Sequence, residues 1–277
     1  MAAATICGSA LAFAGGAAAV SGAATTVAQA GSGGRMIHVP GGFDRKVNGA
    51  TQVESTNWSG YAQSTSTKGT FSAVVDTWTV PTVTTMSGDQ YASDWVGIGG
   101  FSEGTLVQAG TSEWNAGGTA KYNAWTEILP ASEVVISGLA ISPGNKIKTV
   151  VKETSANTWL MEVYNLTTGK SGGKTVSYDS SGESVESIHE RPEINGELAT
   201  LAKTTNVTFN PGKYSTSGAG KPTWEPLLGT APHSSTLYQI FMVNNGGTAK
   251  IASPSLPSSN LKGFTVAYGA TSPPPPA

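Results

Sequence analysis

Two glutamates four residues apart, Glu186 and Glu190, lie in the stretch ESVESIHERPE (residues 183–193), which gathers six ionisable side chains into eleven positions. Charged residues make up only 12% of the 277-residue chain, so the density needs a reason. Neighbouring carboxylates disfavour double ionisation, which raises one pKa and creates a group able to change protonation during a reaction. If the stretch is extended, Glu186, Ile188 and Glu190 share one face, and Val185, Ser187 and His189 share the other. If it is helical, Glu186 and Glu190 still meet at i, i+4. A solvated strand face would produce the same pattern, and spacing alone leaves both readings open.

Other side chains offer complementary chemistry. Gln108 follows apolar Leu106 and Val107 on a strand-like segment. An amide there is either a satisfied structural group or a preorganised donor, able to aim N–H bonds at a developing oxyanion without exchanging a proton. In YNAWTEILP (122–130), alternation puts Asn123, Trp125 and Glu127 on one face and Tyr122, Ala124, Thr126 and Ile128 on the other. The first face reads either as a substrate surface or as an ordinary solvent-facing strand edge. GFSEG (100–104) matches the G-x-S-x-G elbow, but a strand-like TLVQAGT follows it where a nucleophile elbow needs a helix, so it reads as a turn. His38, His189 and His233 show none of the close spacings of zinc ligands, and no metal or cofactor is expected.

These residues must be positioned by strands. Abundant Gly (35), Pro (15), Ser, Thr and Val with few charges suit short strands joined by turns. GTFSAVVDTWTVP (69–81) alternates and closes at Pro81, and similar runs recur to FTVAYG near residue 268. The pattern predicts an all-β sandwich or barrel. Residues 31–53 combine Gly with Arg35, His38, Arg45 and Lys46 without a sustained period, and read as a linker or short propeptide.

A net charge of −2 without a basic cluster excludes the electrostatic footprint of a nucleic-acid binder. Sparse charge also limits self-repulsion at low pH, which makes acid tolerance physically plausible. Cys7 is the single cysteine, so no disulfide framework exists. It sits in an uncharged, Ala-rich N-terminal stretch ending in VAQA, the small-residue pattern of a secretory signal cleaved after Ala30. Secretion to the extracellular space is therefore expected, and no run reaches the roughly 20 apolar residues of a membrane span.

Taken in order, ESTNWSGYA (54–62), TWTVP (77–81), DWVGIGG (94–100), LVQAGT (106–111), YNAWTEILP (122–130) and SVESIHERP (184–192) resemble the glutamic peptidases, the G1 or eqolisin family. The resemblance implies a sandwich of two large antiparallel sheets, of concanavalin-like or jelly-roll type. The domain would occupy residues 54–270, between a signal peptide (1–30), a propeptide or linker (31–53) and a proline-rich tail (271–277). It implies acid-acting hydrolysis of peptide bonds in protein or peptide substrates by a monomer. It places the catalytic glutamine at Gln108 and the catalytic glutamate at Glu186, with Trp95, Asn123, Trp125, Glu127 and Glu190 lining the groove. Better-known members carry aspartate where this chain has Gly99 and Asn123. Arg35, Arg45 and Lys46 are expected to hold residues 31–53 against the acidic groove at neutral pH. Two alternatives stand beside this reading: a carbohydrate-active sandwich using its paired carboxylates, and a non-catalytic binding sandwich.

Overall fold

A computed structural model describes residues 36–39, 43–46 (main chain), 52–229 and 235–277. In chain order the first fourteen strands are β1 (Met36–Ile37), β2 (Phe43–Lys46), β3 (Gln52–Ser55), β4 (Trp58–Ser64), β5 (Ala73–Thr79), β6 (Gln90–Gly99), β7 (Leu106–Ala116), β8 (Thr119–Ile128), β9 (Val134–Val135), β10 (Lys146–Ser155), β11 (Thr158–Asn165), β12 (Lys170–Ser177), β13 (Ser184–Glu190) and β14 (Glu193–Ile194). A twelve-stranded sheet has β4, β13, β6, β7 and β8 side by side at its centre. A six-stranded sheet, with β12, β11, β10 and β5 in succession, packs against one face of it. Among the described residues the strands pair antiparallel, except that β3 pairs in parallel with Thr236–Val243, and the isolated Tyr91–Leu201 bridge is also parallel. No helix among the described residues is long and apolar enough to cross a membrane.

The two sheets differ in how their sequences bury. In β11, Trp159, Met161 and Val163 are buried while Leu160, Glu162 and Tyr164 are partly exposed, the period-2 signature of a sheet with one wet face. In β13 every residue is buried, and β6 and β7 are buried along nearly their whole lengths. One face of these central strands contributes Val96, Ile98, Val107, Ala109, Ala124 and Val185 to the core, together with Val74, Trp78, Ile147, Val151 and Met161. The opposite face carries a second apolar cluster of Trp58, Trp95, Trp125, Leu106, Leu129 and Ile188. Each large side chain so buried contributes about 1.5–3 kcal/mol. The charged stretch is thus not a solvated face: its strand lies in the middle of the sheet, shielded on both sides.

Three details depart from the sequence reading. SEVVISGLAI forms only the two-residue β9. Residues 31–53 are not featureless, since β1, β2 and the start of β3 fall within them. β1 joins β14 and Glu197–Leu198 in a small three-stranded sheet.

Candidate active site

Cross-strand register assembles the site. Glu186 lies opposite Gly97, Gly97 opposite Gln108, and Gln108 opposite Glu127, so one row crosses β13, β6, β7 and β8. The next row of the same face holds Ile188, Trp95, Gly110 and Trp125, and the one after it Glu190, Ser93, Ser112 and Asn123. Two interstrand steps separate Glu186 from Gln108, about 10 Å between main chains. Gly97, between them, lets the Trp95 and Leu106 side chains pack closely over the row. A Cβ at Gly97 would come within 2.9 Å of Trp95 Cζ3 and Leu106 Cδ1 and 3.3 Å of Gln108 Cβ.

Every site residue expected from the sequence lies on this face, and Glu186, Gln108, Glu127, Glu190, Trp95 and Trp125 are fully buried. The solvated reading of Glu127 is therefore wrong, because His38 lies over this face, stacked on Trp125 and bonded to Glu127. The sequence reading missed two participants, His38 and Glu133. His38, in the presumed linker, is completely buried on the site face. Its ring stacks on Trp125 with centroids 3.8 Å apart and planes 7° from parallel. Nδ1 lies 2.9 Å from Glu190 Oε2, and Nε2 lies 3.0 Å from Glu133 Oε2. Its N–H donates to Glu127 Oε2 (3.1 Å), and its carbonyl accepts from Gln108 Nε2 (2.9 Å). The Val39 carbonyl then accepts from Asn57 Nδ2 (3.2 Å) and Trp58 Nε1 (3.1 Å). Residues 36–39 lie on the site as an extended peptide. Arg35 and the side chains of Arg45 and Lys46, which had been expected to hold this segment, lie outside the described residues, as does His233.

The carboxylates are held by donors of their own. Glu190 accepts from the indoles of Trp95 (2.7 Å) and Trp58 (3.3 Å), and Glu133 accepts from Asn123 Nδ2 (3.2 Å). Gln108 Nε2 also donates to Glu127 Oε2 at 3.0 Å. Gln108 Oε1 and both oxygens of Glu186 are buried with no partner among the described residues. Burial works against charge on His38, but Glu190, Glu133 and Glu127 overcome it and push the pKa up to about 10. Burial raises Glu127 and Glu190, and His38 pulls both back down. Glu186 is pushed well above the usual carboxylate range by burial, with Ser184 opposing.

Local geometry accounts for both departures from the family pattern. Gly99 has φ +90°, and a Cβ there would sit 2.3 Å from the Thr105 carbonyl oxygen, so an aspartate does not fit this turn. The turn is the GFSEG segment, with Ser102 exposed and the Glu103 carboxylate accepting from Gly100 and Thr105 N–H groups. Asn123 supplies the N–H that an aspartate would lack to Glu133.

On the core-facing side, Asp94, Glu113 and His189 bring ligand-type atoms within 4.8 Å of one another. No sequence spacing announced this group, because cross-strand register creates it: His189 pairs with Asp94 across β13 and β6. His189 Nδ1 lies 2.8 Å from Asp94 Oδ1. Burial, then Asp94, raises the Glu113 pKa well above the usual range.

The profile of the peptidase A4 family matches residues 56–260, which contain β4 to β14 and so every strand of the site except β1. The chain belongs to the peptidase A4 family. Aspergillopepsin-2 of Aspergillus niger is 31% identical over 199 residues, covering 63% of this chain and 70% of that protein. Scytalidopepsin B of Scytalidium lignicola is 34% identical over 140 residues, covering 50% of this chain and 51% of that protein. A crystal structure of scytalido-glutamic peptidase with a transition-state analog inhibitor matches 77% of this chain and 98% of its own at a TM-score of 0.62 and 24% identity, which shows a shared fold. This peptidase A4 member is accordingly a glutamic-type peptide-bond hydrolase on a β-sandwich, and the carbohydrate-active alternative falls away.

Proposed function

We propose that this peptidase is a secreted, acid-acting endopeptidase in which Gln108 and Glu186 form the catalytic dyad. The observation that carries the reading is the 2.9 Å hydrogen bond from Gln108 Nε2 to a peptide carbonyl, in the row that also contains Glu186. With a substrate carbonyl in place of that of His38, Gln108 Nε2 donates to the oxyanion as it develops, worth roughly 3–4 kcal/mol. A water held between the two side chains donates one hydrogen to Gln108 Oε1 and the other to Glu186, meeting acceptors that have no partner among the described residues. A donor to the carboxylate favours its ionised form and offsets the burial that raises its pKa. Glu186 takes the proton as the water oxygen bonds to the carbonyl carbon. It then passes that proton to the amide nitrogen as the C–N bond breaks, leaving a carboxylic acid and an amine.

Residues 36–39 and a substrate cannot occupy Gln108 together, so the segment inhibits until it leaves. His38 lowers the pKa values of Glu190 and Glu127, so its hold weakens as pH falls through their titration. Its own pKa of about 10 means the hold also fails as pH rises past that value. Between these limits the segment stays latched, and acid opens the site. Replacing Gln108 with Ala tests the dyad: kcat falls by about 10²–10³ with KM nearly unchanged. Undiminished turnover in that variant would remove Gln108 from the chemistry, and no turnover by the wild type at any pH would favour the non-catalytic binding sandwich.

A further inference from the structure

The residue that meets Gln108 is gripped by more than its main chain. Its side chain enters a closed pocket whose floor is Trp125 and whose two ends are Glu190 and Glu133. We propose that this pocket is a specificity subsite for a protonated imidazole, so that the peptidase selects histidine at the residue whose carbonyl Gln108 binds and cleaves on its C-terminal side. The inference rests on the peptidase reading above and adds the substrate class.

Two features point to imidazolium rather than to an apolar side chain or lysine. The ring lies flat on a fully buried indole, 3.8 Å away and 7° from parallel, which demands a planar group. Carboxylate oxygens stand 2.9 and 3.0 Å from the two ring nitrogens, and only a doubly protonated imidazole offers two N–H donors in one plane on separate edges of so small a ring. A phenylalanine or leucine would leave two buried carboxylates facing carbon, the kind of unpaired polar surface that discriminates strongly between substrates. Lysine presents one compact charge on a flexible stem and cannot span both ends while covering the indole.

The carboxylates are also fixed without help from the histidine. Trp95 and Trp58 hold Glu190, and Asn123 holds Glu133. Aspartate at position 123 would turn that donor into a repelling carboxylate, so Asn123 is a positioning residue for the subsite. Glu127 contacts the N–H of the bound residue and selects no side chain.

The test uses the full chain and peptides that differ at one residue, acetyl-Met-Ile-Xaa-Val-Ala-Ala-amide with His, Lys, Phe, Leu or Gln at Xaa, at pH 5. Residues 36–39 compete equally with every peptide, so ratios of kcat/KM are free of the latch. The expected result is cleavage after Xaa with His preferred about tenfold or more over Phe and Leu. Glu133→Gln and Asn123→Asp should reduce that ratio to about threefold or less. In parallel, binding of the same peptides to His38→Ala/Glu186→Gln is followed by tryptophan fluorescence, which reads the subsite without turnover. Cleavage without preference for His, or a preference untouched by Glu133→Gln, overturns the subsite and leaves the peptidase reading intact. His-selective binding with no cleavage by the wild type keeps the subsite and overturns the peptidase reading.

Discussion

Each face of the large sheet carries a histidine among carboxylates, and the two clusters are built from different parts of the chain. On the core side, His189, Asp94 and Glu113 all come from β13, β6 and β7, which the sheet itself holds in register. On the outer side, Glu127 and Glu190 come from the sheet, while His38 arrives on a short segment ahead of it. The proposed latch makes the outer cluster exchangeable, whereas the inner one is fixed by the sheet. A partner supplied by the fold stabilises the fold, whereas a partner supplied by a removable segment can be replaced by a substrate.

Breaking the inner cluster should have the largest effect on stability. His189→Ala leaves Asp94 buried without its partner and should cost about 3–5 kcal/mol, read as a fall in the urea midpoint. A loss below 1 kcal/mol would mean the inner histidine is as dispensable as the outer one. His38→Ala should do the reverse. It should change the urea midpoint little while raising peptide hydrolysis near pH 6 about tenfold or more, since each charge-assisted hydrogen bond it removes is worth about 1.5–3 kcal/mol to the latched state. Unchanged activity in His38→Ala would contradict the latch.

The smallest effect sharpens the comparison on the pH axis. The Glu113 pKa is raised by burial and by Asp94, so its contribution to stability is full below the ordinary glutamate range and lost as pH rises through its folded value. Asp76, buried in the core and pushed up to about 7 by desolvation, acts in the same direction between its ordinary range and that value. The fold should therefore gain stability as pH falls from 7 toward 5. Glu113→Gln, of nearly the same shape and able to donate to Asp94, should stay within about 1 kcal/mol of wild type and flatten part of that slope. An unchanged slope would remove Glu113 from the account.

The sequence made one kind of fact legible. Alternation correctly assigned Glu186, Ile188 and Glu190 to one face, and Asn123, Trp125 and Glu127 to one face, because strand parity is local. The burial of those faces was not legible, since it depends on which elements cover the sheet. His38 was hidden for the same reason: it touches Glu127 and Glu190 from 89 and 152 residues away, in a segment with no period to read. The inner cluster escaped because its ligand-type atoms meet through cross-strand register rather than through a spacing along the chain. Gly99 looked like a loss of a family carboxylate, and the φ of +90° turns it into a requirement of the turn. Low overall charge suggested acid tolerance, and the raised pKa values of buried Asp76 and Glu113 add a second physical cause.

The central claim is that Glu186, in one cross-strand row with Gly97 and Gln108, moves the proton in peptide hydrolysis. Its most direct test is digestion of a denatured protein by wild type and by Glu186→Gln from about pH 2 to 7, a range that brackets carboxylate titration. The account predicts wild-type cleavage that rises as pH falls below neutral, and a loss of about 10³-fold or more in the variant at every pH while its fold remains intact. Equal activity of the two proteins would contradict it.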